Sequence, residues 1–291
     1  MKKLVYFLSI SLLLGCTGTP DSLIEDPEVI QLAGDFSFTE GPAANSKGDI
    51  YFTDIPNNKI HIWTTEGKLE SFRDSSNGAN GLFFDSEDNL YICEGDAQRI
   101  TSIDNQGNLT IITDTFNTGR YNRPNDLWID PAGGIYFTDP AYGKDEEELE
   151  QDVEGVYYIS PDYTSVILVC DDLDRPNGVI GTTDGNIVYV TDHMGGKTWV
   201  YDINPDGSLS NKTLFVEMGC DGMTIDQNGN VYLTNMENSS IDIYSPEAEL
   251  LHSIKIPEGP SNVCFGGVDN KDLFITARTS VYTVRMRVTG Q

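Results

Sequence analysis

Six polar side chains open six short apolar runs along this chain: Glu40, Asn80, Asn125, Asn177, Asp221 and Asn262, at successive spacings of 40, 45, 52, 44 and 41 residues. Two are carboxylates and four are amides, and two negative charges balance one divalent ion. Calcium takes six to eight such oxygens in loose geometry, whereas magnesium demands a tight octahedron and zinc recruits His or Cys. The three histidines, His61, His193 and His252, do not cluster in the sequence and read as surface or packing residues. A second polar set, Asp54, Glu94, Asp139, Asp192 and Asn235, follows fourteen or fifteen positions after the first. It is expected to return to the same face and surround the first set. The pairs Asn80-Gly81, Asn177-Gly178 and Asp221-Gly222 are also turn signals that satisfy nearby backbone. The same polar class at one register in all six copies is what favours a cation site over turn chemistry.

The elements that must carry these residues repeat with them. A strand pattern recurs as Ile50 to Asp54, Leu90 to Glu94, Ile135 to Asp139, Val188 to Asp192, Val231 to Asn235 and Leu273 to Ala277. Turn formers such as Pro131-Ala132-Gly133-Gly134 separate each of these strands from the run before it, so each pair is a hairpin. Two further strands follow in most repeats, for example Lys59 to Thr64 and Leu69 to Phe72. A period of this size with strands and no helical periodicity predicts an all-β, six-bladed β-propeller with four-stranded blades. The last repeat ends one strand short after Val281 to Val288. The orphan segment Glu28 to Ala33 supplies that strand and closes the ring, which removes two exposed sheet edges. An open sandwich of short strands explains neither the period nor the orphan.

In these blocks the chain resembles the family of senescence marker protein, gluconolactonase and luciferin-regenerating enzyme. The similarity rests on Glu40-Gly41-Pro42, Arg123-Pro124-Asn125-Asp126-Leu127, Ile135 to Gly143, Arg175-Pro176-Asn177-Gly178, Cys220-Asp221-Gly222-Met223 and Asn262 to Gly267, in the family's order from about Phe36 to Arg285. The resemblance implies a metal held by Glu40, Asn177 and Asp221, with Asn125 beside it as ligand or substrate contact and Asp221 as the candidate base. Calcium is the expected ion, with zinc, manganese or magnesium as alternatives. Gly95 stands where gluconolactonases often carry His after a strand-end Cys-Glu, so sugar contacts are expected to differ.

A cation on the axis would polarise a lactone carbonyl, and Asp221 would take the proton from the attacking water. Arg123, Asn80, Asn125, Asp139 and Tyr142 are the expected substrate contacts. The acidic stretch Asp145 to Glu154 reads as a solvated loop on this face or as one wall of the pocket. No Gly-x-Ser-x-Gly elbow is present, which argues against a serine hydrolase. The leading expectation is a lactone hydrolase acting on a sugar lactone such as gluconolactone. The alternatives are a phosphotriesterase or arylesterase on the same metal, and a non-enzymatic binding propeller with a structural metal.

Composition sets outer bounds. The net charge of -28 makes nucleic acid and anionic membrane surfaces unlikely partners. Lys2 and Lys3, the apolar run Leu4 to Leu14, then Gly15 and Cys16 have the layout of an export signal and resemble a bacterial lipobox. The chain is therefore expected to divide into a signal over 1–15, a linker over 16–27 behind a lipidated Cys16, and one propeller domain over 28–291. Membrane anchoring through Cys16, on the periplasmic side or the cell surface, follows from that reading. Cys93, Cys170, Cys220 and Cys264 show no zinc spacing or framework pattern. They read as small buried residues, with a Cys220 to Cys264 bridge conceivable.

Overall fold

Alternating apolar residues, punctuated every few positions by Gly, Asn and Asp turns, leave this chain no choice but short antiparallel strands. A computed structural model describes residues 23–143 and 149–291, and they form six four-stranded sheets. Five blades are simple meanders in chain order, spanning 39–74, 79–113, 127–170, 176–216 and 223–255. The sixth combines 262–286 with the strand Ile24–Ala33, which pairs antiparallel with Ser280–Met286. The closing strand begins four residues before Glu28. Ile24 opposes Met286 and Ala33 opposes Val281, with three register irregularities in between, and Ile24 joins the apolar layer of this blade. Arg285 ties the joint together, contacting Asp269, Asp272 at 2.9 Å and Glu25 at 3.7 Å.

The second strand of each blade is almost wholly buried, as the continuous runs Tyr-Phe-Thr-Asp and Tyr-Ile-Cys-Glu require. Its aromatic residues fill the wedges between neighbouring blades. Phe52 meets Phe274 across the joint between the first and last blades, and in the third Phe137 stacks on Tyr157 and meets Tyr121 edge-on. Threonines of three such strands, Thr53, Thr138 and Thr234, carry register to the next blade. Thr138 Oγ1 donates to the Asn177 carbonyl at 2.7 Å, and Thr53 Oγ1 to that of Asn80 at 3.2 Å. Backbone bonds do the same around the axis, from Gly81 N to Asn125 O (2.7 Å) and from Gly178 N to Asp221 O (2.8 Å). A Cβ on Gly81 or Gly178 would stand 2.6 or 2.7 Å from that carbonyl oxygen. These glycines follow the polar ring because innermost strands touch there, not because the chain turns.

Cys93, Cys170, Cys220 and Cys264 are all free thiols, so no Cys220 to Cys264 bridge forms. Cys220 Sγ turns toward the carbonyl of Gly222, while Cys264 faces the cavity at the opposite mouth of the channel. Cys16 and the leader lie outside the described residues, as do residues 145–148 of the acidic stretch.

Candidate active site

Each innermost strand starts at the axis, and five of the six ring residues converge there on one cavity. The cavity measures about 250 Å³, and Glu40, Asn80, Asn125, Asn177 and Asp221 form its polar floor. Glu40 and Asn177 are almost fully buried, at 3% and 2% exposure. Asn177 Nδ2 donates to Asp221 Oδ1 at 2.6 Å and to the Tyr142 hydroxyl at 3.1 Å. Glu40 Oε2 accepts from Gly41 N at 2.9 Å and from Asn262 Nδ2 at 3.2 Å. Asn262 is the sixth member, but it faces the other side. With its Oδ1 bonded to Val263 N and its amide beneath Glu40, it supports the floor and lines the opposite cavity.

Burial pushes the Glu40 carboxyl well above its ordinary range, and the charge of Asp221 pushes it the same way. Burial also raises Asp221, against the opposing pull of His193 and its bonds to Glu40 and Asn177. Among the described residues no lysine or arginine pairs with either group. Two adjacent buried carboxylates without a lysine or arginine beside them are costly alone and become favourable when a cation sits between them. The donors are oxygens throughout, which fits a hard divalent ion. No three His, Cys, Asp or Glu side chains gather among the described residues, because amides complete this set. Beneath the floor, Asp126 occupies the position that Gly81 and Gly178 hold in their blades. Burial lifts its carboxyl to about 7.

The strand-end set does not surround the site. Asp139, expected as a substrate contact, is fully buried and absent from the cavity wall. Its carboxylate accepts the backbone amides of Asn122 and Arg123, each at 2.7 Å. Asp54 holds the amides of Ser37 and Phe38 in the same way, and Asp192 holds that of Asp174 at 2.8 Å. Glu94 instead binds Arg73 and Arg99, both at 2.7 Å. These groups fix the loops that enter each blade, and the loops carry the cavity wall.

Six wall residues stand two positions before a ring residue or one after a strand end, and Pro124 and Tyr142 join them. Phe38, Gly78 and Arg123 occupy the first kind of position, and Ile55, Gly95 and His193 the second. Arg123 is held by Asp96 at 2.8 Å and by the Tyr142 carbonyl at 3.1 Å, and it lies across Gly95, where a Cβ would meet its Cγ at 3.0 Å. Gly95 thus makes room for this guanidinium. Tyr142 is stacked under Arg175 and bonded to Asn177. His193 corrects the sequence reading: its Nδ1 lies 3.4 Å from Asn177 Nδ2 inside the cavity. Its position directly after Asp192, equivalent to Gly95 after Glu94, was the available signal. His61 packs between Phe36 and Phe52 and His252 is exposed, as expected.

Against known proteins, the description "SMP-30/Gluconolactonase/LRE-like region" matches residues 38–279, the whole ring apart from its closing elements. The chain belongs to this family. A gluconolactonase of Zymomonas mobilis subsp. mobilis is 29% identical, covering 89% of this chain and 81% of its own. Among solved structures, a gluconolactonase from Xanthomonas campestris superposes with a TM-score of 0.82 at 24% identity, covering 89% of each chain. The calcium-binding protein regucalcin from Agrobacterium tumefaciens superposes with a TM-score of 0.76 at 17% identity, covering 90% of this chain and 94% of its own. At these identities the two structures establish the shared fold of the family and nothing finer.

Proposed function

We propose that the axial cavity hydrolyses a sugar lactone of the gluconolactone kind, with a divalent cation, calcium first, held by Glu40, Asn177 and Asp221 and flanked by Asn125. The observation that carries this reading is the pair of buried carboxylates, Glu40 and Asp221, with no lysine or arginine among the described residues to pair with them on the floor of a cavity. The gluconolactonase relative supports the lactone chemistry. When bound, the cation would supply Lewis-acid polarisation of the lactone carbonyl.

The remaining chemistry belongs to the chain. Asn177 Nδ2 orients Asp221 through Oδ1 at 2.6 Å, and this carboxylate receives a proton from water. The water oxygen bonds to the carbonyl carbon, the ring C–O bond breaks, and the proton passes from Asp221 to the departing ring oxygen, giving the hydroxy acid. Asn80, Asn125 and Arg123 orient the lactone's oxygens. Burial holds the Tyr142 phenol far above its ordinary range, so it stays a hydrogen-bond donor at neutral pH. Phe38, Ile55 and Pro124 offer an apolar wall to the C–H face of the ring and exclude water from it.

Proton release from glucono-1,5-lactone and phenolate release from paraoxon, each with calcium and with a chelator, test this reading. Calcium-dependent lactone opening is the expected result. Turnover of paraoxon alone would make the site a phosphotriesterase, and turnover of neither would leave a binding propeller. We also propose export and anchoring through an acylated Cys16, which rests on Lys2-Lys3, the apolar run and the ending Leu13-Leu14-Gly15-Cys16. Cys16→Ser should leave the protein soluble on cell fractionation, and unchanged membrane association would exclude the anchor.

A further inference from the structure

The wall around the cavity is uneven. Phe38 and Ile55 stand over the first blade and Arg123 and Tyr142 over the third, while the glycines of the second, Gly78 and Gly95, lie under Asp96 and Arg123; over the fifth the position two before Asp221 is Gly219. Gly219 lies against the loop that carries His193, where a Cβ would stand 2.5 Å from the His193 carbonyl oxygen. Glycine here lets the two loops touch, and beside them the site continues into a groove of about 930 Å³, with His193 and Asp221 lining both. The cavity alone is smaller than the roughly 300–1,000 Å³ typical of pockets for drug-sized ligands. It suits a single sugar ring, and the groove accommodates more.

The side chains along the groove alternate in character. Met218 and Met236 present adaptable apolar surface. Between and beyond them stand Glu217, Glu237 and Arg278, whose charged ends make no hydrogen bond or ion pair among the described residues. This contrasts with Arg123 and Asn235 nearby, each held by a carboxylate. A pyranose ring has the complementary form, with an apolar C–H face and a rim of hydroxyl donors. Two free carboxylates accept from hydroxyls and disfavour an anionic occupant.

We propose that this groove is a subsite for a second glycosyl unit, so that the preferred substrate is an aldonolactone bearing a sugar substituent. The inference rests on the lactonase reading of the cavity. The bond broken is still the lactone C–O bond, and the glycosidic bond stays intact.

The test compares kcat/KM for cellobiono-1,5-lactone and glucono-1,5-lactone in the wild type, in the double variant Glu217→Ala/Glu237→Ala, and in Asn238→Trp, which places bulk in the groove. The wild type should prefer the disaccharide lactone by about tenfold, the scale of one or two hydrogen bonds to charged acceptors. At least one of the variants should lower that ratio severalfold, chiefly through KM. Hydrolysis of gluconolactone with a wild-type ratio near one overturns the subsite and leaves the lactonase reading standing. A preference that neither variant lowers overturns it as well, by placing the second sugar elsewhere. If neither lactone is opened at any calcium concentration, the lactonase reading falls and the subsite with it.

Discussion

Acidic and amide side chains recur at two positions in these blades, and what their oxygens touch separates them. At the strand ends, Asp54, Asp139 and Asp192 each accept backbone amides from the loop leading into their own blade, and Glu94 accepts two guanidinium groups. At the strand starts, Glu40 and Asp221 share one buried space with amides and with each other, and no lysine or arginine among the described residues pairs with them. The first group is satisfied by the protein and serves the architecture. The second is incomplete, and that is what makes it available to a ligand. A carboxylate's role here follows from its unfilled hydrogen-bonding and charge demand, not from its type.

The sharpest way to break this comparison is to neutralise one member of each set. Asp221→Asn should lower kcat for lactone opening by about 10²–10⁴-fold, the usual weight of a general base. Because it also removes a buried like charge beside Glu40, the calcium-free variant should melt no lower than the wild type. Near-normal turnover of Asp221→Asn in excess calcium would move the proton acceptor elsewhere. Asp139→Ala should do the reverse, costing about 3–5 kcal/mol of stability by leaving two buried amides without their charged acceptor. Its effect on turnover should arise only through the displaced Arg123. A denaturation midpoint equal to that of the wild type would show that the strand-end set is not structural.

Smaller changes sharpen the contrast. Glu94→Gln keeps the shape but loses the charge facing Arg73 and Arg99. Both arginines are partly solvated, so about 1–3 kcal/mol is expected in urea unfolding, less than for Asp139→Ala. Glu40→Gln removes one of two balancing charges and should weaken calcium binding by about tenfold or more, near 1.4 kcal/mol, with activity partly recovered at high calcium. Calorimetry that finds the same affinity for both proteins would remove Glu40 from the ligand set. Calcium itself should stabilise the folded protein by about 2.7 kcal/mol at a hundredfold excess over its Kd. A melting temperature indifferent to calcium would argue that the ring holds no such ion.

Most of the architecture was legible because its causes are local. Alternation within five-residue runs and the turn chemistry between them placed Ile50–Asp54, Leu90–Glu94, Ile135–Asp139 and Val231–Asn235 to the residue. The constant period then implied a ring, and a blade lacking one strand implied that the other end of the chain completes it. The ring of strand-start residues followed from the same register, since equivalent positions of innermost strands must meet at the axis.

What the sequence could not decide depends on neighbours distant along the chain. Asp54 and Glu40 are both acidic and lie in adjacent strands, yet one meets the amides of Ser37 and Phe38 and the other meets Asp221 and Asn262. Asn262 shares the ring's register, but its bond to Glu40 turns it beneath the floor. His193 looks isolated in the sequence, and the turn after Asp192 brings it into the cavity. Gly219 reads as one more loop glycine until the chain folds and the loop of His193 packs against it beside the groove. Sequence by itself determined the repeat, the strands and the positions that face the axis, because alternation and turn preference act over a few residues. Tertiary structure alone decided which of those polar groups stay unsatisfied and which way the site opens, because hydrogen-bond partners and gaps are set by the packing of one blade against the next.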